Sequence, residues 1–405
     1  MKKVLFISYH FPPIGASQRA LKFVKYLPKF GWSPLVLAPS NSTYPKLDYT
    51  MLAEIPRESE IIRLPACEDF PGNPYITAED FMHGWFPAVI KEGVRLIRTK
   101  QIDAIYSVSA PYVSLLAGVA LKRLTGKPLV VDLRDEWTTN PFIQGPRYAR
   151  DIRANHKFEV LSLQEADAVI SVTEQITDTL YQISGTGSNR KFHTIHNGYD
   201  PMDFVNIAAK KKNKKFTICY MGSIYGLRRG VANQFFSELN SAISNNIINP
   251  DHIELKLIGY LDSITFPEEW PLHHIVHSTG YLNHKTALAN AAASDLLLLF
   301  IDPREDTTVT SKIYELVRLG KPILALIPPV GSAATILAHT RTGIIVDSKC
   351  PSKSIKVIKS LYKAWRADAI KTKPNEMAIQ KYSRVKLTGK LAVILDQITS
   401  RGGAT

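Results

Sequence analysis

Cysteines are few in this sequence, and long hydrophobic runs are absent. Cys67, Cys219 and Cys350 lie far apart, with no Cys-x-x-Cys motif and no neighbouring His pair, so neither a disulfide framework nor a structural zinc site is expected. The longest apolar run, 296–301, has six residues, whereas a membrane-spanning helix needs about 20. We therefore expect a cytoplasmic protein with no membrane-spanning segment and no structural zinc site.

Acidic residues are scarce relative to basic ones, and the imbalance is local. The chain carries 50 Lys and Arg against 36 Asp and Glu, a net charge of +14. Residues 1–200 hold 23 basic and 20 acidic residues, whereas residues 351–405 hold 12 basic and 3 acidic residues. A basic surface suits a nucleic acid, an anionic membrane or a phosphorylated substrate. Nucleic acid is the weakest of the three, because the basic residues lack interleaved aromatics and form no recognised module.

The 405 residues, of which 45% are hydrophobic and 21% charged, have a globular composition and suffice for two domains. Short apolar runs alternate with helical patterns throughout, which predicts parallel sheets with right-handed crossovers. Strands are predicted at 3–8, 33–38, 61–64, 104–108, 128–132, 168–172, 216–221, 253–258, 275–277, 295–300 and 322–326. Helices are predicted at 17–30, 111–124, within 148–166, and at 230–243, 283–293 and 311–319.

A lysine-rich run at 209–215 interrupts this alternation, and the pattern restarts just after it. Runs of charge between periodic segments mark domain boundaries. We therefore predict one doubly wound α/β domain over 1–208 and a second from 209 onward. A solvated linker accounts for the run better than a functional patch does.

Two loops of the first half follow predicted strands. Gly15 and Ala16 lie between the first strand and the first helix, where backbone N–H groups can approach a phosphate; alternatively, Gly15 only makes the turn. Asp132, Arg134 and Asp135 leave a strand at the edge where open α/β sheets bind ligands. The alternative is an internal network between Arg134 and the carboxylates, which accounts for Asp132 better than for Asp135.

The first loop of the second half contains small residues and two arginines. Gly222 and Ser223 follow the strand, and Arg228 and Arg229 stand just before the predicted helix. Cations at a helix N-terminus oppose the helix dipole. An arginine pair at that place therefore indicates a bound anion, and a diphosphate suits it.

The helix predicted at 311–319 begins with Lys312 and Glu315. A carboxylate that faces the strand ends can accept hydrogen bonds from both hydroxyls of a ribose. Taken alone, however, a helical Glu is more often a surface residue.

Together these loops resemble the family 4 retaining glycosyltransferases of the GT-B fold, and in particular bacterial members that build cell-surface polysaccharides. The similarity extends over nearly the whole chain and rests on the ordered occurrence of Phe-Pro-Pro-x-Gly at 11–15, the stretch 132–137, His-Asn-Gly-Tyr-Asp at 196–200, Lys-Ile-Tyr-Glu at 312–315 and Gly-Lys-Pro at 320–322. The resemblance implies two facing Rossmann-like domains with a cleft between them. The acceptor side would be 1–208 and the donor side 209–382, with a helix at 383–405 packing back on the first domain.

The resemblance also implies roles for individual residues. A nucleoside-diphosphate sugar would be the co-substrate, with no other cofactor and, since Asp-x-Asp is missing, no metal. The donor site would consist of Gly15, Ala16, Gly222, Ser223, Arg228, Arg229, Lys312 and Glu315. Within it, Arg228 and Arg229 would stabilise the leaving diphosphate, and Glu315 would bind the ribose. The diphosphate takes the acceptor proton in the scheme proposed for the family, and we expect Asp135 to orient the acceptor hydroxyl.

The sequence departs from the family pattern at four places. Ala16 replaces the second glycine of the first loop, and Ser223 replaces a phosphate-binding Arg, for which Arg228 would compensate. Thr307 replaces the first Glu of Glu-x7-Glu, which commonly meets the transferred sugar. Arg134 stands where many members place a His.

Two functions of other classes also fit these observations. A sugar-nucleotide 2-epimerase shares the two-domain architecture but needs acid and base groups around the sugar and no acceptor groove. A non-catalytic nucleotide-sugar-binding relative would account for Thr307. The partners expected for the transferase are a nucleotide sugar and a glycan or lipid-linked acceptor. Lys353, Lys356, Lys359 and Lys363 are spaced as one basic helical face, which is either solvated, the favoured interpretation, or in peripheral contact with the inner face of an anionic membrane.

Overall fold

The structure is a computed structural model that describes residues 1–14, 17–40, 47–65, 85–109, 111–140, 146–205, 207, 213–261, 264–307 and 309–401. Contacts between Cα atoms divide the chain into two compact units. The first unit is Met1–Asn197 with Arg384–Thr405, and the second unit is Gly198–Ser383. The boundary predicted between 208 and 209 lies outside the described residues.

The first unit is built on a parallel sheet of seven strands in the order β3-β2-β1-β4-β5-β6-β7. Its strands are β1 (Lys2–Ser8), β2 (Trp32–Pro39), β3 (Glu60–Leu64), β4 (Ala104–Val108), β5 (Leu129–Leu133), β6 (Ala168–Ser171) and β7 (Phe192–Thr194). The helices between them are α1 (Gln18–Tyr26), α2 (Phe86–Lys100), α3 (Val113–Thr125), α4 (Pro146–Glu165) and α5 (Glu174–Ser184). This strand order is that of a Rossmann sheet.

The second unit contains a parallel sheet of six strands in the order β10-β9-β8-β11-β12-β13. Its strands are β8 (Phe216–Met221), β9 (Ile253–Ile258), β10 (Val276–Gly280), β11 (Leu296–Phe300), β12 (Ile323–Ile327) and β13 (Gly343–Asp347). Its helices are α6 (Arg228–Ser244), α7 (His284–Ala292), α8 (Lys312–Arg318), α9 (Ser332–Thr340), α10 (Lys353–Arg366) and α11 (Glu376–Gln380). The ligand-binding edge of such a sheet is the one at the carboxyl ends of its strands.

The continuous apolar runs that predicted strands are buried on both faces of the sheets. In β1, Leu5 and Ile7 pack in one hydrophobic cluster, whereas Val4 and Phe6 pack in the cluster on the opposite face. This alternation follows from the two-residue period of a strand. Strands covered on both faces are typical of parallel sheets flanked by helices, so the predicted fold of two Rossmann-like domains is confirmed.

The last helix, α12 (Arg384–Arg401), packs in the first unit. Leu387, Leu391 and Leu395 join the cluster that contains Phe23 and Val24 of α1. The spacing of four residues places the three leucines on one face of α12. The core of the first unit is therefore completed by residues from the opposite end of the chain.

Some elements were not predicted from the sequence. Within the described ranges, these are the strands β7 and β13, the helices α2, α5, α9 and α11, and four short 3-10 helices, of which Tyr49–Glu54 is used below. A fifth 3-10 helix, Leu27–Phe30, lies within the helix predicted at 17–30. One prediction was wrong in detail: α6 begins at Arg228 and not at Gly230. Both arginines therefore lie in its first turn and not before the helix.

Candidate functional site

Two glycines bring the loops after β8 and β9 into close backbone contact. Gly222 and Gly259 have φ of 147° and 125°, in the region that favours glycine. A Cβ on Gly259 would lie 2.3 Å from the carbonyl oxygen of Gly222, and a Cβ on Gly222 would lie 2.3 Å from Nζ of Lys312. The absence of both side chains thus lets the Lys312 ammonium lie against the backbone at the carboxyl end of β8.

Lys312 and Glu315 share one face of α8, since residues three apart on a helix are neighbours. The Oε1 of Glu315 lies 2.9 Å from Nε2 of His284, the first residue of α7. The other ring nitrogen of His284 lies 3.9 Å from a carboxylate oxygen of Asp203. Glu315 is therefore held at the sheet edge by an imidazole and is not a solvated surface residue.

Aromatic rings connect this cluster back to the glycine loop. Tyr281, three residues before His284, stacks on Tyr260, with ring centroids 5.9 Å apart and planes 20° apart. The backbone N–H of Tyr260 donates to Oγ of Ser223 over 3.4 Å. Ser223, Tyr260 and Tyr281 thus lie just after the carboxyl ends of β8, β9 and β10.

Arg228 is engaged by a buried carboxylate. Its Nε and Nη2 donate to the two carboxylate oxygens of Glu305, each over 3.2 Å, and Glu305 is fully buried. Burial opposes the charge on Arg228, but Glu305 outweighs it and raises the pKa of the guanidinium. The arginine expected to compensate for Ser223 is therefore already paired within the protein, which suits a positioning role at least as well as phosphate binding.

Arg229 is half-buried, and its Nε donates to the carbonyl of Gly226 over 3.4 Å. The backbone N–H groups of Arg229 and Gly230 bond to the carbonyls of Gly226 and Leu227 over 3.3 Å. Because those N–H groups have partners, anion binding at this loop depends on the Arg229 side chain and the helix dipole more than on open backbone donors.

The loop after β11 carries three carboxylates, Asp302, Glu305 and Asp306, and the first two bond to nearby groups. Asp302 pairs with Arg304 over 2.7 Å, and Glu305 also accepts from the backbone N–H of Asp302 over 3.1 Å. Asp306 is exposed, and Thr307 is half-buried. Glu305, one of the two acidic residues close to Thr307, is therefore engaged in holding Arg228.

In the first unit, Gly15 and Ala16 lie outside the described residues. Arg134, which follows β5, donates from Nε to the carbonyl of Ser109 over 2.5 Å and from Nη2 to Nδ1 of His10 over 3.1 Å. Burial, reinforced by the Arg134 charge, lowers the pKa of His10 to about 3. A neutral imidazole and a cation therefore adjoin at the carboxyl ends of β1 and β5.

The carboxylates near Arg134 differ in environment. Asp132 is fully buried and accepts from Arg19 Nε over 2.7 Å and Nη2 over 3.1 Å; it also accepts from the Tyr106 hydroxyl. The internal network considered for Asp132 thus exists, but its arginine is Arg19 and not Arg134. Asp135 is exposed at the end of the strand, where it can reach a ligand.

Sequence reasoning missed His284, Gly259 and the Tyr260–Tyr281 stack. Their spacing along the chain indicates no site, because they come together only through the order of the strands in the second sheet. The Asn283 side chain, which caps α7 at the Thr286 N–H over 3.0 Å, was the one local signal that fixed where His284 lies.

The sheet edge of the second unit therefore combines cations, a carboxylate held by an imidazole, and stacked aromatic rings around a close approach of backbone. Cations suit a diphosphate, the carboxylate suits sugar hydroxyls, and the rings suit a planar base. Among the described residues, no helix is both long and apolar enough to cross a membrane.

Two Rossmann-like units of seven and six parallel strands in one chain define the GT-B fold. Residues 15–198 match the family described as glycosyl transferase 4-like domain. No curated protein matches the sequence.

Solved structures of this fold are similar to nearly the entire chain. Anabaena Alr3699/HepE in complex with UDP-glucose is 16% identical, with 98% of this chain and 100% of that one covered and a TM-score of 0.64. WaaG, a glycosyltransferase involved in lipopolysaccharide biosynthesis, is 16% identical, with 97% and 99% covered and a TM-score of 0.63. A putative UDP-N-acetylglucosamine 2-epimerase from Listeria monocytogenes is 14% identical, with 100% and 98% covered and a TM-score of 0.57. At these identities the similarity shows the fold.

Proposed function

We propose that the chain is a retaining glycosyltransferase. It would move a sugar from a nucleoside-diphosphate sugar to a hydroxyl of a glycan or lipid-linked acceptor in cell-surface polysaccharide biosynthesis. The observation that carries the proposal is the Lys312 ammonium lying against Gly222, three residues from Glu315 on the same helix. The family match over 15–198, the UDP-glucose complex of HepE and the role of WaaG support it.

In this proposal, transfer depends on stabilising the diphosphate as it leaves. Negative charge grows on the diphosphate oxygens, and cations fixed in advance lower that barrier most effectively. Lys312 and Arg229 would supply the charge, while Glu305 holds Arg228 in one orientation. No group outside the protein and the co-substrate is needed for this stabilisation, and we propose that the reaction uses no metal.

Glu315 would bind the ribose hydroxyls, and the diphosphate would take the proton of the acceptor. Asp135 would orient the acceptor hydroxyl from the first unit, for which its exposure is suitable. If Asp135→Asn transfers at the full wild-type rate with its fold intact, this role is wrong.

A nucleotide-sugar screen by thermal shift tests the donor assignment. The screen starts with UDP-glucose, because HepE was crystallised with it. A ligand at 100 times its Kd stabilises by about 2.7 kcal/mol. Arg229→Ala should abolish the shift, whereas Arg366→Ala, which removes an exposed arginine at the end of α10, should leave it unchanged. Equal shifts in both variants would disprove the diphosphate role of Arg229.

The epimerase remains the second candidate, because a structure of that class has the same fold. An epimerase converts the nucleotide sugar alone, whereas a transferase needs an acceptor or releases free sugar by slow hydrolysis. Incubation with donor alone followed by product analysis separates them: epimerised nucleotide sugar would favour the epimerase.

We also propose contact with the inner face of an anionic membrane, in the cytoplasm. Lys353, Lys356, Lys359 and Lys363 are all exposed on α10, and its apolar residues pack into the second unit. Anionic lipids attract such a surface with about 1 kcal/mol per basic residue. Liposome binding that is unchanged after charge reversal of the four lysines would rule the contact out.

A further inference from the structure

The first unit contains a cavity of about 460 Å³ near the carboxyl ends of β2 and β3. Ile14, Leu47, Tyr49 and Leu52 contribute to its apolar wall, and Arg63 is the charged residue that lines it. Cavities of roughly 300–1,000 Å³ with an apolar lining and a few polar groups are typical binding sites for small ligands. Among the residues that the structure describes, none of the proposed donor residues lines this cavity.

One wall of this cavity is fixed by hydrogen bonds. The 3-10 helix Tyr49–Glu54 is capped by Asp48, whose side chain accepts from the Thr50 N–H over 3.0 Å. The Asp48 N–H donates to the carbonyl of Pro13 over 2.7 Å. At the other end, Glu54 pairs with Lys22 and, over 2.9 Å, with Lys25. The wall is therefore formed before any ligand binds.

The same helix turns an apolar face toward the opening. Residues three apart are eclipsed on a 3-10 helix, so Tyr49 and Leu52 project from one side, whereas Met51 is buried. Tyr49 is 65% exposed and Leu52 is 40% exposed. An adjoining pair of large exposed apolar side chains at the mouth of a cavity suits a surface that an apolar ligand covers.

Arg63 supplies a charge without a counter-charge. Its Nη1 donates to the carbonyl of Pro39 over 3.3 Å, and its Nη2 donates to the carbonyl of Pro12. In the part of the chain that the structure describes, Arg63 forms no ion pair, and partial burial lowers the pKa of its guanidinium. Neutral carbonyls fix its position but leave its charge uncompensated, and a phosphate is among the anions whose geometry matches a guanidinium.

We propose that this cavity binds a lipid phosphate, with the apolar chain against Tyr49 and Leu52 and the phosphate at Arg63. Free phosphate would leave the apolar wall uncovered, and a neutral lipid would leave Arg63 uncompensated. The further step, that the lipid phosphate is the carrier of the acceptor, rests on the proposed function. The affinity of the cavity for an alkyl phosphate does not.

Calorimetry on the full chain tests this site with decyl phosphate below its critical micelle concentration. Decyl phosphate should bind at least tenfold more tightly than decanol or inorganic phosphate, each titrated separately. Leu52→Asp should weaken the binding of decyl phosphate at least tenfold, because the substitution places a carboxylate at the opening of the cavity. Val393→Asp is the matched control, since Val393 is 54% exposed on α12 of the same unit, and its affinity should stay within twofold.

Arg63→Gln should reduce the affinity for decyl phosphate to that for decanol while the decanol affinity is unchanged. The site proposal is overturned if decyl phosphate does not bind, if Leu52→Asp and Val393→Asp bind it equally, or if decanol or phosphate binds as tightly. Because no nucleotide sugar is present, these results are independent of the donor screen. A positive donor screen with no binding of decyl phosphate would reject the cavity site alone.

Discussion

Glu159 on α4 makes the stability of the first unit depend on pH. The residue is fully buried, and its Oε2 accepts from the Thr138 N–H over 3.3 Å and from the Thr138 hydroxyl. Among the residues that the structure describes, its Oε1 has no hydrogen-bond partner. Burial raises the pKa of Glu159 from 4.5 to about 7, the Thr138 bonds oppose that rise, and the negative charge of Glu136 adds to it.

The sign and size of the effect follow from these two pKa values. A raised pKa in the folded state means that folding favours the protonated acid, so the stabilisation is complete below pH 4.5 and is lost as pH rises to about 7. At about 1.36 kcal/mol per pKa unit, the loss amounts to about 3 kcal/mol. For a unit of this size, about 3 kcal/mol corresponds to a fall in Tm of roughly 6–12 °C.

Glu159→Gln removes the titrating group while keeping an amide of similar shape. Melting temperatures are measured at half-unit steps from pH 5 to pH 8 for wild type and variant. We expect the wild-type Tm to fall more steeply with pH, and the variant to be the more stable protein at pH 8. Glu165→Gln is the control, because the same charge is lost at the end of α4 from an exposed pair with Arg123. Parallel Tm profiles for wild type and Glu159→Gln would refute the reasoning.

Three further predictions concern the second unit. Gly259→Ala should lower the free energy of unfolding by roughly 1–3 kcal/mol, because the new Cβ would meet the backbone of Gly222. Gly230→Ala is the control, since a Cβ there has none of the described atoms within 4 Å. Equal urea midpoints for the two variants would contradict the close approach of Gly259 to Gly222. His284→Phe should weaken UDP binding about tenfold in calorimetry, because the Glu315 carboxylate loses a partner 2.9 Å away; His284→Gln should recover part of it, and wild-type affinity in the Phe variant would exclude this role. Sugar transfer should survive dialysis against EDTA, and loss of activity that Mg²⁺ restores would show that a metal is required.

Elements with a strong apolar run were predictable from the sequence. The bounds of β4 and β8 agree with the prediction because every residue of these two strands is buried. Those of β9 also agree, although the half-buried Glu254 and Lys256 alternate with its buried apolar residues. The strand β7 has three residues at a sheet edge, and β13 is half-exposed along most of its length, so neither produces a clear pattern.

The site was only partly predictable, because its contacts are tertiary. Lys312 and Glu315 were identified from a motif. Their neighbours Gly222, after β8, and His284, at the start of α7, are distant from them in sequence, and only the sheet order places these residues together. The pairing of Arg228 with Glu305 has the same origin, since β8 and β11 are adjacent strands. Local sequence gives the identity of such residues and not their partners.

The position of α12 has a consequence for how the protein is made. Its leucines complete a core whose other members come from residues 4–195 and from α12 itself. During synthesis, Phe23 and Val24 of α1 lack the part of their cluster that α12 supplies until the ribosome has translated the whole second unit and then residues 384–401. The first unit to be synthesised is thus the last to finish folding, and a chain stopped after residue 383 would present an apolar face to chaperones and proteases.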